Sequence, residues 1–316
     1  MQQNGVEKIE DLHISVLLQE LVENGKIFKD RKNIVVDCTL GLAGHASKII
    51  EKLNSGDIFV GFDADKDNLA LAQKRLEGIR GDIEIKLINS NFVNIKTELE
   101  KIGIDEITYV YYDLGLSSVH FDDASKGFSF RETGPLDMRL DKTSKLKAYD
   151  VVNYYPLNDL IKIFREYGEE NMSARIAKSI VESRILKTID TTTDLAEIIN
   201  KISQFPQVKA RIFQAIRIEV NKELENLEKS LQDAIKMLVL GGRIFAISFH
   251  SLEDRIVKQT FKREERDCIC SDIICTCHHK KSLKNLYKKP ILPTAEEQKA
   301  NSRSRSAKAR VAEKII

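Results

Sequence analysis

The chain has 316 residues, 42% of them apolar, and 50 Lys and Arg against 48 Asp and Glu leave a net charge of +2. That is an ordinary globular composition, enough for one large domain or a core domain with a smaller companion. No run reaches the roughly 18 apolar residues of a membrane span, Met1 to Asp11 lacks the layout of a secretory signal, and four of the five cysteines crowd between Cys268 and Cys277. A membrane protein and a secreted disulfide framework are set aside, and a cytoplasmic location is expected.

In chain order, apolar runs bounded by Gly or Asp predict buried strands at Asn33 to Leu40, Asp57 to Phe62, Ile83 to Ile88 and Ile107 to Tyr112. Helical patterns such as Lys66 to Leu76 lie between them, so an α/β fold is expected: a doubly wound, Rossmann-like parallel sheet covered on both faces. After about Arg131 the pattern turns to helices at Leu157 to Tyr167, Asn171 to Ile185 and Asp194 to Ser203, which predicts an inserted all-helical domain. A stripe of Val220, Leu224, Leu227, Leu231, Ile235 and Leu238 predicts one more helix, stopped by Gly241-Gly242. Strand character returns at Arg243 to Phe249. A four-strand fragment leaves an open edge, so the C-terminal part is expected to complete the first domain. The expected division is 1–131 and 213–316 for the sheet domain, with 132–212 as the insertion.

The carboxyl ends of the strands carry the chemistry, because open α/β sheets bind ligands there. The first strand runs into Asp37-Cys38-Thr39-Leu40-Gly41-Leu42-Ala43-Gly44-His45, a turn where backbone can approach a ligand. The second ends in Gly61-Phe62-Asp63, an acid about twenty residues on, suited to accept the hydroxyls of a ribose. Positions 41–46 lack the second and third glycines that admit a pyrophosphate, so the cleft suits a nucleoside cofactor without one. The fourth strand leads into Asp113-Leu114-Gly115-Leu116-Ser117-Ser118. The loop Lys126 to Asp141 is too rich in Gly, Pro, charge and aromatics for a simple connector. Phe128 and Arg139 there are equally readable as a base pocket or as a core ring and an ion-pair partner.

These segments resemble the ribosomal small-subunit RNA cytosine-N4 methyltransferase family, the MraW or RsmH type, nearly end to end. The resemblance is carried by His13 to Glu20, Asp113 to Ser118, the Leu-Asp-Met-Arg segment ending at Arg139, Tyr167 to Glu170, Phe213 to Asn221, Ser248 to Arg255 and Asn301 to Ala307. It implies a methyltransferase that uses S-adenosyl-L-methionine to methylate N4 of a cytidine in the decoding region of 16S ribosomal RNA, within the small ribosomal subunit. It also implies a cofactor site at Ala43, Gly44, His45, Asp63, Phe92, Asp113 and His120. Three positions depart from the family's usual residues: Ala43 replaces Gly, His120 replaces Gln, and Ser15 replaces Pro.

Methyl transfer from a sulfonium is an in-line displacement, so the protein must align the reactants and exclude water. The cytosine amine is a weak nucleophile, and an acceptor beside its hydrogens helps charge develop; Asp113 is the candidate, with a neighbouring carbonyl as the alternative. Phe128, Arg139 and His250 are the candidate substrate residues. Arg165, Arg175, Lys178 and Arg184 of the insertion suit RNA phosphates or a solvated helix face equally. Between Lys280 and Arg310, ten Lys or Arg face two Glu, a basic tail that suits phosphate or a mobile, solvated end. Cys268, Cys270, Cys275 and Cys277, with His278 and His279, are soft ligands of the kind zinc takes, but the spacing is tighter than Cys-x-x-Cys, so no metal is assigned. The rival reading is a non-catalytic ribosome-assembly factor that keeps the fold, and whether the chain forms a homodimer is left open.

Overall fold

The computed structural model describes residues 15–117, 120–121, 123–270 and 276–316. His13, Ile14, Ser118 and Cys275 lie outside them. The chain divides into two compact units, 1–115 with 224–316, and 116–223. The insertion therefore spans more than 132–212, because the loop carrying Phe128 and Arg139 packs with the helices rather than with the sheet.

The first unit is built on a seven-stranded sheet: β1 (Ile34–Asp37), β2 (Ile58–Asp63), β3 (Glu84–Asn89), β4 (Ile107–Asp113), β5 (Leu238–Ser248), β6 (Leu283–Asn285) and β7 (Lys308–Lys314). Their order is β3-β2-β1-β4-β5-β7-β6, with β1 to β5 parallel and β7 antiparallel to both neighbours. The strand order reverses at β1, running to β2 on one side and to β4 on the other, which makes a crevice at their carboxyl ends. Alternate residues of each strand enter two cores. Val36, Val60, Val110, Tyr112, Ile244 and Ala246 face one; Val35, Phe59, Tyr109, Tyr111, Phe245 and Ile247 face the other.

Around the sheet lie α1 (Leu18–Asn24), α2 (Gly44–Ile50), α3 (Lys66–Leu76) and α4 (Ile95–Lys101). The inserted unit holds α5 (Ala148–Tyr154), α6 (Leu157–Glu166), α7 (Ser173–Leu186), α8 (Thr192–Asn200) and α9 (Pro206–Asn221). Then come α10 (Glu223–Met237), α11 (Ser251–Glu264) and α12 (Ala295–Ala300). The first core is roofed by Ile95 and Leu99 of α4, Leu227, Leu231 and Ile235 of α10, and Val257 and Phe261 of α11. The second is roofed by Leu21 of α1, Ala46, Ile49 and Ile50 of α2, and Ala72 and Leu76 of α3.

Two expectations are corrected. The stripe from Val220 to Leu238 is not one helix. Lys222 takes the left-handed conformation, φ 50°, and ends α9, so Val220 joins the inserted unit's core while Leu227, Leu231 and Ile235 join the sheet's. Nor do Gly241-Gly242 stop a helix. Helix α10 ends at Met237 and the glycines lie inside β5, where Ile107 pairs with Leu238 but Tyr109 pairs with Arg243. The extra β5 residues bulge out of the ladder, and Gly241 supplies the φ of +76° that the bulge needs.

The insertion has its own core, from Ile163 and Phe164 of α6, Ile176 and Ile180 of α7, Leu195 and Ile199 of α8, and Ile212 and Ile216 of α9. Its α8 starts earlier than expected because Thr191 and Asp194 form a reciprocal cap: Asp194 N–H donates to Thr191 Oγ1, and Thr191 N–H to Asp194 Oδ2. The basic tail is not a mobile end, since Lys308–Lys314 is β7, hydrogen-bonded between β5 and β6. Among the described residues no helix is long and apolar enough to cross a membrane.

Candidate active site

Three acids cap neighbouring strands at the carboxyl edge of the sheet: Asp37 on β1, Asp63 on β2 and Asp113 on β4. Their backbones are tied by the turn after β1. Asp63 accepts from Gly41 N–H through Oδ2 (2.9 Å) and from Asp65 N–H through Oδ1 (2.7 Å), which joins the first two strand ends. Asp37 Oδ1 accepts from Thr39 N–H (2.9 Å), and Thr39 Oγ1 accepts from Asp113 N–H (2.6 Å), which joins the first and the fourth. The turn is sharp: Gly41 and Ala43 both have left-handed φ, 52° and 58°. Ala43 is buried and leads directly into α2. A side chain on Gly44 would run into Ser15 Oγ, so this stretch of backbone is closely covered.

Burial pushes all three carboxyls up to about 7, against the N–H groups that Asp37 and Asp63 accept and, for Asp113, with help from the charge of Glu253. Burial also lowers His45 to about 4. Its Nε2 is 2.9 Å from the carbonyl of Val16, a contact that requires Nε2 to carry the proton. Nδ1 is then an acceptor, and it lies 3.5 Å from Asp113 Oδ2. The pair is no ion pair near neutral pH: the ring is uncharged, and the geometry favours a protonated Asp113. Asp113 Oδ1 is shut off from solvent with no hydrogen-bond partner among the described residues. An acid with one shut-off, unpartnered oxygen, beside two more raised acids, suits a cationic ligand that lets them ionise.

Phe92 opens a single 3₁₀ turn after β3 and is half-buried, its ring edge-to-face with Tyr112 at 5.8 Å between centroids. The five residues Ala43, Gly44, His45, Asp63 and Phe92 thus belong to one sheet edge together with Asp113. His120 belongs to the inserted unit, where Ser117 Oγ is 3.0 Å from its Nδ1 and the Phe128 ring is 5.3 Å away. Phe128 is itself buried in that unit's core.

Arg139 is heavily committed. It makes a fork with both oxygens of Asp137 (2.6 and 2.9 Å) and donates to the carbonyls of Lys142 and Ser144. Asn221 of α9 clasps the same loop, accepting from Leu140 N–H and donating to the Met138 carbonyl. Of the four basic residues of the insertion, Arg165, Arg175 and Lys178 are exposed. Arg184 instead donates to the carbonyls of Val152 and Tyr155.

His250 caps α11, half-buried, with Nε2 3.1 Å from Glu253 Oε1; the other oxygen of Glu253 accepts from Phe249 and His250 N–H. Asp37, Thr39 and Glu253 are the site groups that sequence reasoning missed. The signal for Asp37 was its place at a strand's carboxyl end, equal to that of Asp63 and Asp113. Glu253 had a motif but no reason to be singled out.

A profile of the MraW methylase family matches residues 10–315. The chain belongs to that family. Its members are methylases, so the chain is an enzyme of methyl transfer. The ribosomal RNA small subunit methyltransferase H of Clostridioides difficile is 49% identical to it, over 96% of this chain and 99% of its own length. Proteins of the same name from Caldicellulosiruptor bescii and Clostridium botulinum are 46% and 45% identical over the same shares.

Proposed function

We propose that the protein transfers a methyl group from S-adenosyl-L-methionine to the exocyclic N4 of one cytidine in the decoding region of 16S ribosomal RNA, in the cytoplasm and within the small ribosomal subunit. The names of the full-length relatives support ribosomal RNA as the substrate. The observation that carries the chemistry is Asp113: a half-buried carboxyl at the end of β4, raised to about 7, with one oxygen shut off from solvent and unpartnered among the described residues.

When bound, the cofactor supplies a methyl group made electrophilic by a sulfonium. Ala43, Gly44, His45, Asp63, Phe92, Asp113 and His120 are the residues that would hold it. Asp63 is fixed by Gly41 N–H, Asp65 N–H and the Asn68 side chain, which would present its carboxylate to a ribose hydroxyl. Phe92 offers an apolar ring for the adenine, and Tyr112 fixes that ring. Asp113, ionised, accepts a hydrogen bond from the cytosine amine and takes its proton as the nitrogen becomes cationic. His45 is a positioning residue for the acid form: its Nδ1 faces Asp113 Oδ2 at 3.5 Å and can accept from that oxygen only while it carries the proton. Phe128, Arg139 and His250 are proposed to contact the substrate, Arg139 by ordering its loop through Asp137 and the carbonyls of Lys142 and Ser144. The target base must leave its stack to reach any such site.

The test is incubation with labelled S-adenosylmethionine and small subunits lacking their modifications, followed by digestion and mass spectrometry. Label on N4 of a single cytidine is expected. Cofactor binding with no label on any nucleoside would replace this reading with the non-catalytic assembly factor.

A further inference from the structure

The methyl-transfer reading leaves the cysteines after α11 unused. They lie in the connection between α11 and β6, whose two ends are already fastened: Ser282 N–H donates to the Glu264 carbonyl (2.7 Å), Ser282 Oγ–H to the Glu264 carboxylate (2.7 Å), and Asn285 to Glu265 through N–H and Nδ2. Cys268, Cys270 and Cys277 are therefore not needed to close the loop's neck, and among the described residues they belong to neither hydrophobic cluster of the unit. Yet the sulfurs of Cys268, Cys270 and Cys277 converge, all within 4.8 Å of one another, each residue half-buried.

The spacing discriminates among the things three sulfurs can do. A disulfide needs a separation of about 2.0 Å, and the Cys268 and Cys277 sulfurs are 3.9 Å apart. Tetrahedral zinc with Zn–S bonds of about 2.3 Å places its sulfurs about 3.8 Å apart, which the observed pair nearly matches. Each sulfur also accepts a backbone N–H. Ile269 donates to Cys277 (3.5 Å), Cys270 to Cys268 (3.4 Å) and Thr276 to Cys270 (3.4 Å). Donors aimed at sulfur favour the thiolate, which is the form that binds metal. Three thiolates this close repel one another strongly unless a cation lies among them.

We propose that Cys268, Cys270 and Cys277 bind a zinc ion that stiffens the connection between α11 and β6. An all-sulfur set selects a soft or borderline cation over calcium or magnesium, which take oxygen. Binding converts three thiols to thiolates: three S–H bonds break, three Zn–S bonds form, and three protons leave to solvent. No electron is transferred. The dication and three thiolates leave one negative charge, and a neutral donor, water or imidazole, completes the tetrahedron.

The test uses the full chain, purified reduced, stripped with a chelator and dialysed. Zinc(II) is added back against a chromophoric competitor, and cobalt(II) is added separately as a spectroscopic probe. About one zinc per chain is expected, with cobalt giving thiolate charge-transfer bands and intense tetrahedral visible bands. The triple variant Cys268→Ser, Cys270→Ser, Cys277→Ser should lose both while its circular dichroism stays that of the parent. Zinc uptake equal in the parent and the triple variant would overturn the proposal. So would a parental cobalt spectrum without thiolate bands, a reading that holds even if the variant misfolds. A Cys268–Cys277 disulfide forming under the same reducing conditions would do the same.

Discussion

Asp113 and Ala43 show how much turns on single positions. Replacing Asp113 with Asn keeps the shape and removes the ionisable group. If Asp113 takes the amine's proton, kcat falls by about 10² to 10³ while cofactor affinity changes far less. Single-turnover methylation with saturating cofactor, beside calorimetric Kd values, separates the two. An intact kcat with a weakened Kd would reduce Asp113 to a binding residue. Ala43 is a different case. A left-handed alanine costs about 1–2 kcal/mol, while reverting to Gly gives up about 0.8 kcal/mol of methyl burial and about 0.4–1 kcal/mol of unfolded-chain entropy. These nearly cancel, so Ala43→Gly should leave stability within about 1 kcal/mol of the parent by urea denaturation. That balance explains why the chain tolerates Ala at φ 58°.

The three raised carboxyls also make a pH prediction. With folded values of about 7 against an ordinary 3.8, Asp37, Asp63 and Asp113 bind more protons folded than unfolded, so their destabilisation accrues as pH rises between those values. His45 acts oppositely: lowered from 6.5 to about 4, it costs stability as pH falls through that window. A bound cation favours the ionised acids, so cofactor affinity should rise with pH up to about 7 and then level, with protons released on binding below it. Calorimetry in buffers of different ionisation enthalpy reads this; an affinity flat across the window would refute it.

At the scale of elements, the parallel strands were legible because each carries an apolar run, closed by an acid in β1, β2 and β4. The predicted and observed bounds of Lys66–Leu76 coincide, since Asp65 caps the helix through Asp67 N–H (2.9 Å). The break at Lys222 was hidden because hydrophobic spacing continues through it; only the two cores reveal that the stripe serves different neighbours. Asp63 and Asp113 could be found by their strand ends, whereas Glu253 reaches Asp113 only through tertiary structure. Gly241-Gly242 carries a turn signal that fits a helix stop and a bulge equally. Because a Cβ on Gly241 would meet only the Phe28 ring at ordinary contact distance (3.5 Å) but φ is +76°, Gly241→Ala should cost about 1–2 kcal/mol from backbone strain alone, measured by urea denaturation. No change would mean the bulge can relax.

For the whole molecule, the contiguous 116–223 unit has a core of its own, while the sheet unit is assembled from segments on either side of it. Deleting 308–316 removes β7 and uncovers β5 along its ladder from Arg243 to Ser248. Limited proteolysis of that truncated chain should digest the sheet segments and leave a resistant fragment close to 116–223. Survival of an intact sheet unit would contradict this dependence.

The place of β7 bears on synthesis as well as on the finished protein. During translation, the inserted unit emerges whole and can fold while the C-terminal strands are still within the ribosome or unmade. Strand β4 must wait more than a hundred residues for β5, and β5 must then wait for β7 at residues 308–314, so the sheet closes only after nearly all of the chain is made. Through that interval β5 is an open edge rich in Ile, Phe and Ala, able to pair with the wrong strand. An enzyme proposed to act on the ribosome would thus owe its own yield to the pace at which a ribosome delivers its last strand.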